Sequence, residues 1–428
     1  MNDTPQHQPK WQVPFFSIWT GQQFSLVGSY AAGFALVWWL TETTGSATVL
    51  ATGTLITLLP GVFLGPFVGA LVDRWNRRLV MIVADSFVAL ASAWLAYLFW
   101  AGALRVEHVY VIMLARAIGG AFHWPAMQAS TTLMVPEEHL ARVAGLNQTM
   151  QGALSIVSPL LGAFLLGILS LHSIMAIDVV TAGFAIAPLF FVHIPQPQRR
   201  VVAAAEGSKP SLWADVREGL SYIWHWPGLL ATLCMAAVLN FFLWPAFSLV
   251  PILVTKHFGG QALQLGWMNS AWGVGLVLGG LVLGVWGGFR RRMVTTMMGL
   301  IGLGLGTLLV GLTPATAFWM GVGSLFLVTF MMAICNGPLQ AIYQVAVPPE
   351  MQARVFTVIG SISQAMAPLG MAVAGPVADA LGVPFWYVTG GLVCILMGVI
   401  AFFVPAIMHL EDSHRAQDES SVAPLGLR

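Results

Sequence analysis

Stretches of about twenty or more apolar residues recur along this chain, separated by short polar breaks. The runs fall near 15–40, 47–71, 79–101, 108–133, 143–168 and 172–194, and then near 228–254, 263–287, 292–313, 316–346, 355–378 and 384–408. A helix needs roughly 20 apolar residues to cross the hydrocarbon core of a bilayer. The pattern therefore predicts six membrane-spanning helices, a linker, and six more. The 316–346 run is longer than a perpendicular span needs, so its helix is expected to tilt or to extend beyond the lipid.

The basic residues agree with that count. With both termini inside, the inner segments carry Lys10, Arg74, Arg77, Arg78, Arg142, Arg199, Arg200, Lys209, Arg217, Arg290, Arg291, Arg292, Arg354, Arg415 and Arg428. Only Arg105 and Lys256 fall outside, and Arg116 lies within a span. Fifteen against two is the bias of the positive-inside rule. A missed span would scramble it.

The expected organisation is an N-terminal six-helix bundle over 1–194, a cytoplasmic linker over 195–227, a C-terminal bundle over 228–410, and a disordered tail over 411–428. The first part of the linker, with its Pro, Ala and charged residues, is expected to be mobile. Its second part, SLWADVREGLSYIW, starts at Ser211 and repeats Leu212, Val216, Leu220 and Ile223 at helical spacing. Two readings stand for that helix: it lies on the inner membrane surface, or it packs on protein.

The halves echo each other. VPEEHLARV (135–143) and VPPEMQARV (347–355) align at a constant offset of 212, as do Gln128-Ala129 and Gln340-Ala341. Both copies follow an outside-to-inside span, so the repeat is parallel. Repeats of this kind place a binding site near the midplane between two halves that rock about it.

Composition fits lipid as solvent. Of the residues, 57% are hydrophobic and 8% charged, with mean hydropathy +0.81, where a soluble domain carries about 25% charged residues. A net charge of +1 gives no sign of a nucleic-acid partner. Cys234, Cys335 and Cys394 sit in apolar runs without metal or disulfide spacing. No metal or cofactor is expected, and no enzyme motif such as HExxH or a nucleophile elbow is present. The chain's three lysines follow Pro9, Ser208 and Thr255, so there is no Walker motif. GLGLG (302–306) lies inside an apolar span and reads as a packing surface.

Several blocks carry a family resemblance. GALVDRWNRRLVMI (69–82) falls in the inner loop between spans two and three. Arg116 precedes Gly119-Gly120 in span four, and Gly145, Gly152, Pro159 and Gly162 are spaced along span five. WWLTETTGSA (38–47), AFHWPAMQ (121–128), IVSPLLGA (156–163), AIDVV (176–180) and ARVFTVIGSI (353–362) extend the match over nearly the whole chain. Together they resemble the major facilitator superfamily, its drug:proton antiporter branch, and within it the macrolide-efflux (Mef-type) proteins. The resemblance implies an all-α fold of twelve transmembrane helices in two pseudo-symmetric bundles. It also implies alternating access, a bacterial cytoplasmic-membrane location, a monomer, and export of amphiphilic drugs in exchange for protons.

Residue by residue, Gly69, Asp73, Arg74, Arg77 and Arg78 match the gating loop. The resemblance implies that Asp73 meets the start of span eleven and locks the outward-open state. Asn76 stands where the motif usually has its second Gly. Gly145, Gly152, Pro159 and Gly162 match a degenerate antiporter motif, which small residues would also explain as close packing. By the same analogy, the cavity draws on spans one, four, seven and ten. Candidates are Gln22, Gln23 and Phe24, then Gln128, then Asn240, Phe241, Trp244 and Phe247, then Asn336 and Gln340. Met268, Asn269 and Trp272 on span eight could border it.

A proton-coupled carrier needs a carboxylate or His that titrates between states. Asp178, Asp85 and His123 lie within spans, with Arg116 as a buried cation. Asp178 with Arg116 is the expected coupling pair, set against an equally weighted reading as a structural ion pair. Asp85 is expected to support the Asp73 loop, and His123 to be a packing residue. Other functions on this fold stay open: a siderophore exporter, a lysolipid or nutrient importer, or a non-transporting sensor.

Overall fold

The computed structural model describes residues 11–192, 194, 212–347 and 349–410. All its regular elements are helical: α1 (Gln12–Thr44), α2 (Ala47–Arg74), α3 (Arg77–Trp100), α4 (Val106–Met134), α5 (Glu137–Ile168) and α6 (Leu171–Phe191). Then come α7 (Leu212–Trp224), α8 (Pro227–Ser248), the short α9 (Val250–Ile252) with a π-turn at Leu253–His257, and α10 (Ala262–Trp286). The chain continues through α11 (Arg292–Leu312), α12 (Phe318–Ala346), α13 (Pro349–Leu381), α14 (Val383–Phe402) and α15 (Pro405–Met408).

Twelve of these run for twenty residues or more. Eleven are long and apolar enough to cross a membrane, and α4 is the exception. That helix carries Glu107, His108, Arg116 and His123. Backbone amides have no partner in lipid, so a spanning segment must satisfy its own, as a helix does. The expectation of an all-helical membrane protein holds. Lys10, residues 195–211 and the tail 411–428 lie outside the described residues.

Two compact units emerge. One comprises residues 1–44, 53–203 and 262–266, the other 45–52, 204–261 and 267–428. The boundary differs from a cut at the linker because two short segments are exchanged. Gly45–Thr52 joins the second unit, where Asp379 at the end of α13 grips the start of α2. Its carboxylate accepts from Ser46 Oγ at 2.9 Å and from the amides of Ala47 and Thr48 at 2.8 and 3.0 Å. An anion at a helix N-terminus satisfies orphan N–H groups and complements the dipole. Residues 262–266 join the first unit, where a Cβ on Gly266 would sit 3.0 Å from the Ala163 Cβ.

Glycine decides the closest approaches. On α1, a Cβ at Gly21 would meet the Phe184 carbonyl oxygen at 2.3 Å, and one at Gly28 the Thr181 Oγ1 at 2.1 Å. Only the missing side chains let α6 lie this near to α1. The GLGLG run of α11 is a packing surface, as expected: Cβ atoms at Gly302, Gly304 and Gly306 would fall within 3 Å of Met331, Ile395 and Val328.

The linker helix α7 packs on protein. Ile223 is buried, and Glu218 accepts from Arg354 of α13 at 2.7 Å. The side chains of Leu212 and Val216 lie outside the described residues. Asn76 caps α3, accepting from the Leu79 amide, which gives this departure from the loop motif a local reason.

Candidate functional site: two polar layers and an aromatic cavity

Two layers of interacting polar side chains lie within the first unit. In one, called outer after the orientation expected from the sequence, Asp178 of α6 is 1% exposed and ringed by donors. Ser29 Oγ of α1 donates to it at 2.9 Å, Ser92 Oγ of α3 at 2.7 Å, and Arg116 of α4 at 2.5 Å. The other Arg116 amino group donates to the Ser29 carbonyl oxygen at 2.9 Å. The glycine seam of α1 makes this possible, because it brings the Asp178 turn of α6 against Ser29. The structure thus unites the expected pair Asp178 and Arg116. Ser29 and Ser92, which complete their shell, went unnoticed in the sequence.

The inner layer holds Gln22, Asp85 and His123. Gln22, a cavity candidate from the sequence, is buried and donates to Asp85 Oδ2 at 3.0 Å. His123 Nε2 lies 3.4 Å from Asp85 Oδ1. Asp85 therefore faces α1 and α4 inside the bundle. Each layer draws on α1, α3 and α4 with a spacing of seven residues: Gln22 and Ser29, Asp85 and Ser92, Arg116 and His123. Two helical turns separate the layers by about 10.5 Å. This interval is visible in the sequence and would have found the two serines.

Two of the loop arginines make defined contacts. Arg77 donates to the Ala129 carbonyl oxygen at 2.8 Å, and Arg78 to that of Phe190 at 2.6 Å, in the last turn of α6. A guanidinium there offsets the negative end of the helix dipole. Arg74 is exposed. The surroundings of Gly69 and Asp73 lie outside the described residues. In the span-five motif, Gly145 faces open space, Gly152 is half-buried, and a Cβ on Gly162 would press on Phe34 at 3.0 Å. Pro159 lies inside α5, a turn from that contact.

The second unit contains a cavity of about 370 Å³ among α8, α10, α11 and α12. Five predicted residues line it: Asn240, Trp244, Phe247, Trp272 and Asn336. Asn240 accepts from the Trp244 indole at 2.8 Å, and Phe247 meets Trp272 edge to face at 6.2 Å. The Trp272 indole N–H is buried and has no hydrogen-bond partner within the protein. Leu, Met, Thr, Ala and Cys residues complete the wall, and none of the lining residues is charged.

Several predicted lining residues lie elsewhere. Phe241 packs on Phe242 and Trp386 because it points to the opposite side of α8. Met268 is fully buried in the core of α10. Asn269 and the exposed Gln340 are absent from this wall. Phe24 is exposed beside Phe184 in a shallow groove of α1 and α6, Gln23 is half-buried, and Gln128 is exposed. The ninth span, α11, was not expected to contribute. It does so through Thr296, Met297, Leu300 and Leu303.

Apolar helices of bilayer length, two layers of polar and charged side chains within a bundle and an uncharged aromatic cavity define a polytopic membrane protein with the build of a solute carrier. Comparison with known proteins sharpens that class. Residues 18–371 match the profile of the Major Facilitator Superfamily, with a second match over 241–427. The chain belongs to that superfamily. It is 32% identical over 401 residues to macrolide efflux protein A of Streptococcus pyogenes, covering 94% of this chain and 98% of that one. It is 28% identical to the multidrug efflux pump Tap of Mycolicibacterium fortuitum, covering 88% and 92%. The crystal structure of the nucleoside transporter NupG shares the fold, with TM-score 0.67 and 14% identity over 95% of this chain and 99% of that one.

Proposed function

We propose that this protein is a secondary transporter that exports macrolide-like and other amphiphilic drugs from the bacterial cytoplasm, driven by inward movement of protons. The observation that carries the reading is the cavity of the second unit. Trp244, Phe247 and Trp272 give broad apolar faces, Met297 and Met332 give adaptable surface, and Asn240 and Asn336 give hydrogen-bonding capacity. The unpaired Trp272 N–H suits an ether, hydroxyl or carbonyl oxygen of a ligand. A cavity of about 370 Å³ accepts part of a macrolide, such as a sugar or one edge of the ring. The likeness to macrolide efflux protein A over 94% of the chain supports the same substrate class.

The uncharged wall speaks against a siderophore or a lysolipid, whose anionic groups call for fixed cations. In this reading the protein is a monomer in the cytoplasmic membrane with both termini inside, an orientation that the distribution of Lys and Arg supports. Susceptibility testing decides. Cells expressing the protein should tolerate several-fold more macrolide than cells without it, and a protonophore should erase the difference. Equal susceptibility, with the protein present in the membrane, would refute export.

A further inference from the structure

The two polar layers of the first unit are built alike and differ in chemistry. The outer layer is closed. Asp178 receives three side-chain donors, its side chain is 2% exposed, and its cationic partner is a guanidinium, which stays charged at any physiological pH. Every side-chain contact there is with a donor.

The inner layer is open in both senses. Asp85 accepts one hydrogen bond, from Gln22, and its charged-form partner is an imidazole that can lose its proton. His123 Nε2 is buried without a hydrogen-bond partner, 3.4 Å from Asp85 Oδ1. The two side chains are 13% and 20% exposed, against 2% for Asp178, so this layer is packed less tightly than the other. Where α6 supplies Asp178 to the outer layer, the position seven residues on is Ala185, which is apolar and buried.

We propose that Asp85 and His123 together bind and release the transported proton, while Arg116–Asp178 is the fixed scaffold beside them. This deepens the transport reading and rests on it. With the proton aboard, Nε2–H donates to the Asp85 carboxylate and satisfies the atom that otherwise lacks a partner. Without it, a neutral imidazole faces a carboxylate held by Gln22 alone. One N–H bond forms when the pair is open to the outer water and breaks when it is open to the cytoplasm. One positive charge thus moves inward per cycle and nothing is oxidised or reduced.

The neighbouring charges are engaged elsewhere. On α4, Arg116 lies two turns outward and is engaged by Asp178. On α3, Arg77 lies about two turns inward and donates to the Ala129 carbonyl oxygen. From α1 the pair is faced by the uncharged Gln22, and α6 contributes Asp178 only to the outer layer.

Infrared titration of the purified, substrate-free protein, with isotope-labelled histidine, reads the proton directly, as the imidazolium ring band that grows on acidification. His123→Gln should remove the His123 share of that band. Asp85→Asn should move the midpoint of that share to lower pH by about half a unit or more, because the neighbouring carboxylate is gone. A band undiminished in His123→Gln overturns the assignment. If that variant does not fold, an unmoved midpoint in Asp85→Asn overturns it instead. In proteoliposomes, erythromycin flux through Asp85→Asn should no longer respond to a pH gradient that drives the wild type, and a retained response overturns the proposal. Wild-type protein that moves no erythromycin, yet shows the predicted band, would refute the drug-export reading and leave the proton site standing.

Discussion

Replacing Asp178 by Ala leaves the Arg116 guanidinium, 15% exposed, inside the first bundle without its anion. It also deprives Ser29 and Ser92 of the acceptor each now uses. Removing one partner of a buried ion pair costs about 3–5 kcal/mol, because the remaining charge stays desolvated. At about 1.4 kcal/mol per decade, the unfolding equilibrium shifts by roughly two to three and a half powers of ten. Removing both charges should cost far less, since apolar replacements of similar volume are often neutral. The paired variant Asp178→Leu with Arg116→Met should therefore recover most of the loss, with a coupling of about 2–3 kcal/mol. Tryptophan fluorescence during unfolding in mixed micelles of a mild detergent and SDS measures all four corners of the cycle. Additive single effects, or an Asp178→Ala loss below about 1 kcal/mol, would refute the description of this layer as a buried scaffold.

Other consequences follow from single contacts. Gly21→Leu and Gly28→Leu should abolish folding or accumulation, because even the Cβ would lie 2.3 and 2.1 Å from atoms of α6; near-wild-type yield and melting temperature would contradict the glycine seam. Asp379→Ala should lower stability by about 1 kcal/mol, the usual worth of a lost helix N-cap, and speed amide exchange at residues 47 and 48. Unchanged exchange there would disprove the cap. Trp272→Phe keeps an aromatic ring while deleting the unpaired N–H, and it should weaken macrolide binding about three- to tenfold, the net value of one hydrogen bond. Binding unchanged in that variant would show that the indole N–H faces no ligand.

The sequence revealed the architecture because lipid imposes a simple code. Charge is kept out of stretches of bilayer length, and such stretches are long enough to count. Even α4, which falls short on hydropathy, was read as a span from its apolar run at 108–133, and the alternation of Arg and Lys agreed with it. Asp178 and Arg116 could be paired because a buried charge requires an opposite one. Ser29 and Ser92 escaped notice because a serine in an apolar helix is common and usually bonds its own backbone, as Ser130 does to the Ala126 carbonyl oxygen. Their role appears only once α1, α3, α4 and α6 are set side by side.

The cavity was legible in part, for a related reason. Helix membership pointed to α8, α10 and α12, but rotation about each axis decides which residues look inward. Phe241 and Trp244 are three residues apart, yet one packs on Trp386 and the other lines the cavity. Asp379 was passed over because its partner, the start of α2, lies more than 300 residues earlier in the chain. No local pattern announces a cap supplied from that distance.

Export driven by protons is the claim on which the account turns, and everted membrane vesicles test it most directly. Acidifying the lumen should drive labelled erythromycin into vesicles that contain the protein, against its gradient, and a protonophore should release it. Vesicles that accumulate no more drug than those lacking the protein, under the same imposed pH difference, would contradict it.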